Sequence, residues 1–333
     1  MRTLSIGVIG LGIGEQLAIA FAADSRCRVA TLCDFNPAKL ANVGSRLPGV
    51  RTIGDAAAVI DDPDIDIVVV ASYDNYHFEQ VMRSLVNGKH VFVEKPFVIC
   101  EEQANSVRAL LRERPGQRLS SNLILRQSPR FLDLKERIRR GEMGELFYLE
   151  GDYNYGRLEK IMSGWRRDMR DYSAVHGGGI HLVDLLMWLA DDPIVEVSAM
   201  GNRIASNGSK FKNFDMVVTA VRFAGGAVGK IGVNFGCVFP HFHNVAVYGT
   251  KATFVNGRET ALLYTSRDPA AAPHVLNTAY PGVHKGALIP SFVDAILDEG
   301  EALVTEADVF RCMSVCFAIE RSVHEGRPVA VSV

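Results

Sequence analysis

The sequence predicts an α/β protein. A doubly wound parallel sheet should occupy residues 1–122, and an α+β domain with a large, mostly antiparallel open sheet residues 123–333. Three observations carry this. Strand and helix signals alternate through the first part of the chain. Residues 65–71 form a run continuous in Ile and Val, as strands buried on both faces are. Beyond residue 195, strand-like runs follow one another with glycine turns between them and no helices.

Each element follows in order. Residues 4–9 are an apolar strand that ends in glycines, 16–23 a helix, and 28–34 a second strand. Asn36-Pro37 opens a helix, with Asn as cap and Pro at the first helical position. Asp55 opens a short Ala-rich helix. After the strand at 65–71 a helix runs to about residue 87, where Gly88 fits its stop. A strand at 90–94, a helix at 101–114 and a strand at 118–123 complete the first pattern. The second part has a helix at 131–140, an alternating strand at 146–155 and an apolar helix at 180–190. Its strands then turn at Gly225-Gly226 and at Asn256-Gly257, a strong hairpin signal. Helices at 289–298 and 306–324 and a strand at 329–333 close the chain. No internal repeat is present.

The 333 residues suit two domains. Apolar residues make up 48% and charged residues 22%, the balance of a soluble globular protein. Lys plus Arg number 36 against 38 Asp plus Glu, so the net charge is −2 and no basic surplus exists for nucleic acid. The longest aliphatic run, Ile67-Val68-Val69-Val70-Ala71, falls far short of the about 20 apolar residues of a membrane span. Arg2, the apolar run after it and Ala20 to Ala23 imitate a secretory leader, but Glu15 interrupts it. The six cysteines form no C-x-x-C pair, and Cys312 and Cys316 share an apolar helical face. A reduced, cytoplasmic protein is expected. His241 and His243 share one side of a strand, but no third ligand is evident, so no metal is expected.

The first strand runs into Gly10-Leu11-Gly12-Ile13-Gly14-Glu15. Gly10 permits a tight turn and Gly12 lets backbone approach a pyrophosphate, while the helix that follows offers free N–H groups and a positive dipole end. A Rossmann dinucleotide fingerprint wants glycine where Glu15 stands, so the match is imperfect. The context supplies the rest: strand, loop, helix, then an acidic strand end at Asp34, 20 to 24 residues after these glycines. Asp34 would accept from the adenosine ribose hydroxyls and repel a 2′-phosphate, which favours NAD over NADP. The alternative is a structural turn with Asp34 as a loop cap.

At Val91-Phe92-Val93-Glu94-Lys95-Pro96 the sequence resembles the Gfo/Idh/MocA family of sugar and cyclitol oxidoreductases. The segment Ala71-Ser72-Tyr73-Asp74-Asn75-Tyr76-His77 resembles the family's Asn-x-x-His stretch, with Asp74 in the Asn place. Asn122, Trp165-Arg166, Gly177-Gly178-Gly179, His181-x-x-Asp184 and Tyr248-Gly249-Thr250-Lys251 follow in the family's order, nearly end to end. The resemblance implies an NAD(P)-binding domain, here with Gly10, Gly12, Ile13, Gly14, Asp34, Ser72, Tyr73, His77, Glu94, Lys95 and Arg166 at the cofactor. It implies a second domain for substrate and self-association, as homodimer or homotetramer. The implied reaction is hydride transfer between nicotinamide C4 and a CH–OH or keto carbon of a sugar, cyclitol or nucleotide-sugar. Such a reaction needs a base within hydrogen-bond reach of the hydroxyl and a cation beside the developing alkoxide. Lys95 suits the second task and His181 the first. Asp184, one turn on, would orient the imidazole or bind a substrate hydroxyl. Trp165, His176, His181, Asp184 and Lys95 form the expected substrate-binding set.

One departure stands out. Many family members carry Asp four residues before this His, and here the position is Gly177. Either His176 or Asp171 substitutes, or His181 with Asp184 suffices, or the chemistry differs or is lost. Loss motivates an alternative function, a dinucleotide- and sugar-binding sensor without turnover. The glycine run would free backbone N–H groups for a substrate oxyanion, or simply admit substrate. Trp165, Arg166 and Arg167 form a polar loop expected to border the cleft. With Arg126, Arg130 and Arg157 they would suit a phosphate or carboxylate on the substrate.

Overall fold

The computed structural model describes residues 3–170 and 172–332. Asp171 and residue 333 therefore lie outside the described residues. In chain order the elements are β1 (Leu4–Ile9), α1 (Gly14–Ala23), β2 (Cys27–Cys33), α2 (Pro37–Gly44), β3 (Arg51–Ile53), α3 (Ala56–Ile60), β4 (Ile67–Val70), α4 (Asp74–Val86), β5 (His90–Val93), α5 (Glu101–Arg112), β6 (Leu119–Ser121), α6 (Pro129–Arg139), β7 (Leu146–Asn154), α7 (Glu159–Met162), α8 (Gly164–Asp168), a π turn (Val175–Gly179) and α9 (Ile180–Ala190). Then come β8 (Ile194–Asn202), β9 (Met216–Phe223), β10 (Val228–Asn234), β11 (Phe242–Gly249), β12 (Thr253–Asn256), β13 (Ala261–Tyr264), β14 (His274–Leu276), α10 (Ile289–Ile296), α11 (Glu306–Glu325) and β15 (Val329–Ala330). The local signals act as expected. Asn36 caps α2 by accepting from Ala38 N–H (2.9 Å) and Lys39 N–H (3.3 Å), Asp55 caps α3 through Ala57 N–H (2.9 Å), and Asn256-Gly257 turns β12 into β13. The sequence pattern does not announce β3, β14, α7 or α8; α8 makes a short helix of Trp165, Arg166 and Arg167, the residues expected to form a polar loop.

The chain divides into two units, 1–124 with 284–310, and 125–283 with 311–333. This is not a single cut near residue 122, because a late segment rejoins the first unit. Phe292 packs edge-on against Phe92 at 5.5 Å. Arg26 donates to Asp294 (2.6 Å) and Glu299 (2.8 Å), and Ser120 Oγ donates to the Val304 carbonyl (2.8 Å). None of these long-range partners has a local signature.

The first unit holds a six-stranded parallel sheet in the order β3-β2-β1-β4-β5-β6. Its register places the site. Ile9 pairs with Cys33 and with Val70, Val70 with Val93, and Val93 with Ser121. Residues 10, 34, 71, 94 and 122 therefore all emerge one step past aligned strand ends, where open α/β sheets bind ligands.

The second unit holds a nine-stranded sheet, β14-β13-β12-β11-β7-β10-β9-β8-β15, antiparallel except for the β10–β7 pair. One face is covered by α9, which is apolar over nearly its whole surface and buried from Ile180 to Met187. Arg130 of α6 is buried at 1% exposure and ties this unit's turns together. Its guanidinium donates to the carbonyls of Gly257, Glu259 and Thr278 and to Asn256 Oδ1, and lies 5.2 Å from the Tyr280 ring centre. Burial lowers its pKa from the ordinary arginine value.

Arg130→Ala should cost about 3 kcal/mol in urea unfolding, since the buried Asn256 Oδ1 and three part-buried carbonyls lose their donor and the guanidinium leaves a gap. Burial pushes the thiols of Cys27 and Cys33 up to about 12 and about 11. The folded state thus keeps both protonated when the unfolded chain releases them, so stability should fall as pH rises above about 9. Iodoacetamide at about pH 8 should spare Cys27, Cys33, Cys312 and Cys316 in the native protein and modify the half-buried Cys237, read by peptide mass spectrometry.

Candidate functional site

In the first unit, the glycine loop is built by close approach. A Cβ on Gly10 would lie 2.4 Å from the Ala71 carbonyl oxygen, and its φ is +86°, so only glycine fits. Gly12 faces open space, with nothing within 4 Å of where its Cβ would be. Asp34, 5% exposed, accepts from Leu11 N–H at 2.7 Å through one oxygen and from Asn36 N–H at 2.8 Å through the other. Its carboxylate is thus fixed against the loop with lone pairs to spare. Glu15 takes the third-glycine place because its side chain leaves the loop and pairs with Arg46 at 2.6 Å. Ile13 is exposed on the loop, and Phe35, 71% exposed, packs against Tyr73 at 5.9 Å. Open space at Gly12, an oriented carboxylate and the first turn of α1 fit a dinucleotide.

The Glu-Lys-Pro turn is braced from three sides. Glu94 N–H donates to the Val70 carbonyl (2.8 Å), Asn122 Nδ2 donates to Glu94 Oε1 (2.7 Å), and Lys95 N–H donates to Glu94 Oε2 (3.3 Å). The Lys95–Pro96 peptide is cis, and Lys95 is half-buried. His77, expected at the cofactor, is fully buried. Its ring nitrogens face the Pro96 carbonyl (2.7 Å) and the Ser72 carbonyl (3.2 Å), so it braces two loops and offers no ring nitrogen to a ligand. Ser72 likewise donates its hydroxyl to Gln80 (2.7 Å).

In the second unit, Asp184 is 1% exposed and both its oxygens are held by Arg126, at 3.0 Å and 3.1 Å from Nε and 2.6 Å from Nη2. This corrects its expected contact with substrate: the pair anchors α9. It also removes Arg126, like the buried Arg130, from the arginines expected to meet an anionic substrate. Arg167 pairs with Asp168 (2.7 Å). Arg157 and Arg166 remain, lying over the Tyr155 ring (5.3 Å) and the Trp165 ring (4.3 Å).

His181 stands at the start of α9 and stacks on Tyr153, ring centres 6.3 Å apart. Tyr153 was not singled out by the sequence, yet it is the hub. It is the direct cross-strand partner of His243 on the helix-covered face, and its ring lies 5.2 Å from both His241 and His243. His243 Nδ1 bonds the Tyr280 hydroxyl, the ring that Arg130 supports. Tyr-x-Tyr at 153–155 and His-x-His at 241–243 share one spacing on adjacent strands, a signal for a common face. Among the described residues no three His, Cys, Asp or Glu side chains are grouped to hold a metal. Burial, then the phenols of Tyr155 and Tyr172, push the Tyr153 hydroxyl well above its ordinary value, with Arg157 and Arg166 pulling the other way.

The glycine run is packed rather than open. Cβ atoms on Gly177, Gly178 and Gly179 would lie 2.2 Å from Tyr172 Oη, 2.4 Å from Tyr153 Cε1 and 2.5 Å from Val233 Cγ2. The space expected for substrate or an oxyanion is thus filled by the protein's own side chains. Ser173 Oγ accepts from Val175 N–H (3.0 Å) and His176 N–H (3.2 Å), which caps the π turn, and buried His176 meets Phe317 edge-on at 5.4 Å. A double-mutant cycle checks the anchor: Arg126→Met alone should cost about 3–5 kcal/mol by stranding the Asp184 charge, and Arg126→Met with Asp184→Leu clearly less.

Comparison with known proteins agrees with this architecture. Residues 4–122 match the model of an oxidoreductase family with an NAD-binding Rossmann fold, and residues 131–255 match the GFO/IDH/MocA C-terminal domain. Inositol 2-dehydrogenase 2 of Saccharopolyspora erythraea is 29% identical over 201 residues, 59% of this chain and 57% of that protein. The scyllo-inositol 2-dehydrogenase (NAD(+)) of Bacillus subtilis is 25% identical over 322 residues, 89% and 90% of the two chains. A solved levoglucosan dehydrogenase in complex with NADH and levoglucosan superposes with a TM-score of 0.87 at 20% identity, covering 99% of this chain and 100% of that one, which shows a shared fold. With both of the family's domains matched over most of its length, the chain belongs to the Gfo/Idh/MocA oxidoreductases.

Proposed function

We propose that this protein is an NAD-dependent dehydrogenase or reductase acting on a CH–OH group of a sugar or cyclitol. The observation that carries the reading is the alignment of strand ends in the first unit, which sets the glycine loop, Asp34 and the Glu-Lys-Pro turn on one edge of the sheet. The inositol 2-dehydrogenases among its relatives support a cyclitol. The removal of Arg126 and Arg130 from the anion-binding set favours a neutral substrate over a nucleotide-sugar.

Bound NAD supplies a nicotinamide C4 that exchanges hydride with the substrate carbon. Gly10 and Gly12 keep the loop thin for the pyrophosphate, Ile13 and Gly14 begin the helix that faces it, and Asp34 takes the ribose hydroxyls. The Lys95 ammonium, held in a turn braced by Glu94 and Asn122, stabilises the alkoxide as charge develops. The His181 imidazole moves the hydroxyl proton. Asp184 acts at one remove, by fixing α9 through Arg126. Trp165 and Arg166 face the substrate, while His176, within the π turn, is buried against Phe317.

The protein is further read as cytoplasmic and as a homodimer or homotetramer. Its six cysteines are free thiols. On the sheet face away from α9, Met200, Val218, Val228, Tyr264 and Val275 are exposed and share one side by register with the Lys230–Glu150–Asp152 ion pairs between them, a mixed face suited to self-association.

Absorbance of NADH, followed with a panel of cyclitols, free sugars, sugar acids and nucleotide-sugars, tests the reading. A neutral polyol should turn over with NAD. Lys95→Ala should lower kcat by about 10²–10⁴-fold and leave NADH affinity intact; unchanged turnover would remove Lys95 from the mechanism. NADP should be disfavoured by Asp34, since like charges side by side cost several kcal/mol. Asp34→Asn, which still accepts from Leu11 N–H, should narrow that preference.

A further inference from the structure

Tyr153 ends in a hydroxyl that the protein itself does not use. The residue is 5% exposed. Its ring is seated among others: Tyr155 stacks on it at 5.7 Å, His243 lies 5.2 Å away, and a Cβ on Gly178 would lie 2.4 Å from its Cε1. A hydroxyl on so buried a side chain ordinarily finds a hydrogen-bond partner. Among the described residues, none bonds this one. Nor is it sealed into the core. Enclosed, unbonded oxygens do occur in this unit, at Ser206 and Thr219, and the Tyr153 hydroxyl is not one of them.

Two cations share its surroundings. The guanidiniums of Arg157 and Arg166 are close enough to act on the phenol. Arg157 lies over the Tyr155 ring at 5.3 Å and Arg166 over the Trp165 ring at 4.3 Å, and neither pairs with a carboxylate among the described residues. Burial outweighs both cations and keeps the phenol protonated through neutral pH, so it remains a donor. A guanidinium can only donate. Whatever meets this place must therefore accept hydrogen bonds. A ring locked by its neighbours, with one polar tip left over, is the kind of group that fixes a ligand's orientation. The same ring carries His181, stacked at 6.3 Å.

We infer that Tyr153 is a substrate-specificity residue: its hydroxyl donates to a hydroxyl oxygen of the sugar or cyclitol on a carbon other than the reacting one, with Arg157 and Arg166 as further donors to that edge of the ring. This rests on the reading of His181 as the group that moves the proton, which sets the reacting carbon at His181 and leaves its neighbours to Tyr153. An epimer or deoxy analogue whose oxygen is turned away or missing leaves these donors unpaired, and discrimination against it follows.

The test uses the fact that the hydroxyl bonds nothing in the protein. Tyr153→Phe keeps the ring and deletes the hydroxyl, so without ligand it should melt at the wild-type temperature or above. The loss should appear only with ligand. The melting shift produced by inositol epimers or aldohexoses in the presence of NADH should shrink. KM for the best of these polyols should rise about 10-fold or more, with KM for NAD unchanged. Among single-deoxy analogues of that polyol, one should cost the wild type about 10-fold and Tyr153→Phe nothing further. The inference is overturned if every deoxy analogue loses equally in both proteins, if Tyr153→Phe leaves the ligand-induced shift and KM unchanged, or if no inositol or hexose shifts the wild type. Melting shifts need no turnover. A protein that binds a polyol through Tyr153 and never oxidises it overturns the proposed reaction alone, and turnover untouched by Tyr153→Phe overturns this inference alone.

Discussion

The register of the parallel sheet is the constraint on which the first unit's chemistry depends. The strands β1, β2, β4, β5 and β6 end at Ile9, Cys33, Val70, Val93 and Ser121, residues that pair in line. Parallel strands carry their side chains in a fixed alternation, so a slip of one residue in any strand turns every core side chain to the opposite face. The near-continuous apolar strands forbid that slip less strictly than an alternating strand does. The ends therefore matter: Gly10 N–H on the Cys33 carbonyl and Ala71 N–H on the Ile9 carbonyl, both 2.8 Å, lock them. Once locked, the Gly10 Cα is pressed against Ala71, Asp34 meets Leu11, and Glu94 meets Asn122.

The second unit solves a different problem. It packs the His181 ring onto a broad sheet. Tyr153 supplies the platform, with His241 and His243 along its edges, and the π turn comes down on its ring where Gly178 has no side chain. The price of this packing is that the backbone of the turn has no latitude. Asp184 and Arg126 then fix the helix that carries the imidazole. Cys312 is part of the same buried environment, and burial, with Cys316 beside it, pushes its thiol well above the ordinary value.

Much of the first unit was legible in the sequence, because its information is local. A capping Asn, a stop at Gly88 and an uninterrupted Ile-Val run each act within a few residues. The resemblance brought out Lys95 and His181, which no spacing alone would have separated from surface lysines and core histidines. The second unit was read less well. Gly177-Gly178-Gly179 looked like room for a ligand, yet it is the imprint of Tyr172, Tyr153 and Val233, partners 5, 25 and 54 positions away from their respective glycines. Asp184 looked like a substrate contact because its partner Arg126 lies 58 residues upstream. His77 looked like a ligand because the carbonyl it braces, at Pro96, belongs to the next turn of the sheet. In each case the deciding neighbour was tertiary.

The return of residues 284–310 to the first unit bears on how the protein is made. The Phe92 ring of β5 is covered by Phe292, and Arg26 near the N-terminus waits for Asp294 and Glu299. A nascent chain that has emerged through β6 has all six strands of the sheet but not the helix that closes its side. It must hold that apolar flank bare while some 160 further residues are translated, a span of roughly 8–30 s at about 5–20 residues per second. The first unit, begun at the start of translation, is thus complete only once residues 284–310 have emerged, just before the final 23 residues complete the second.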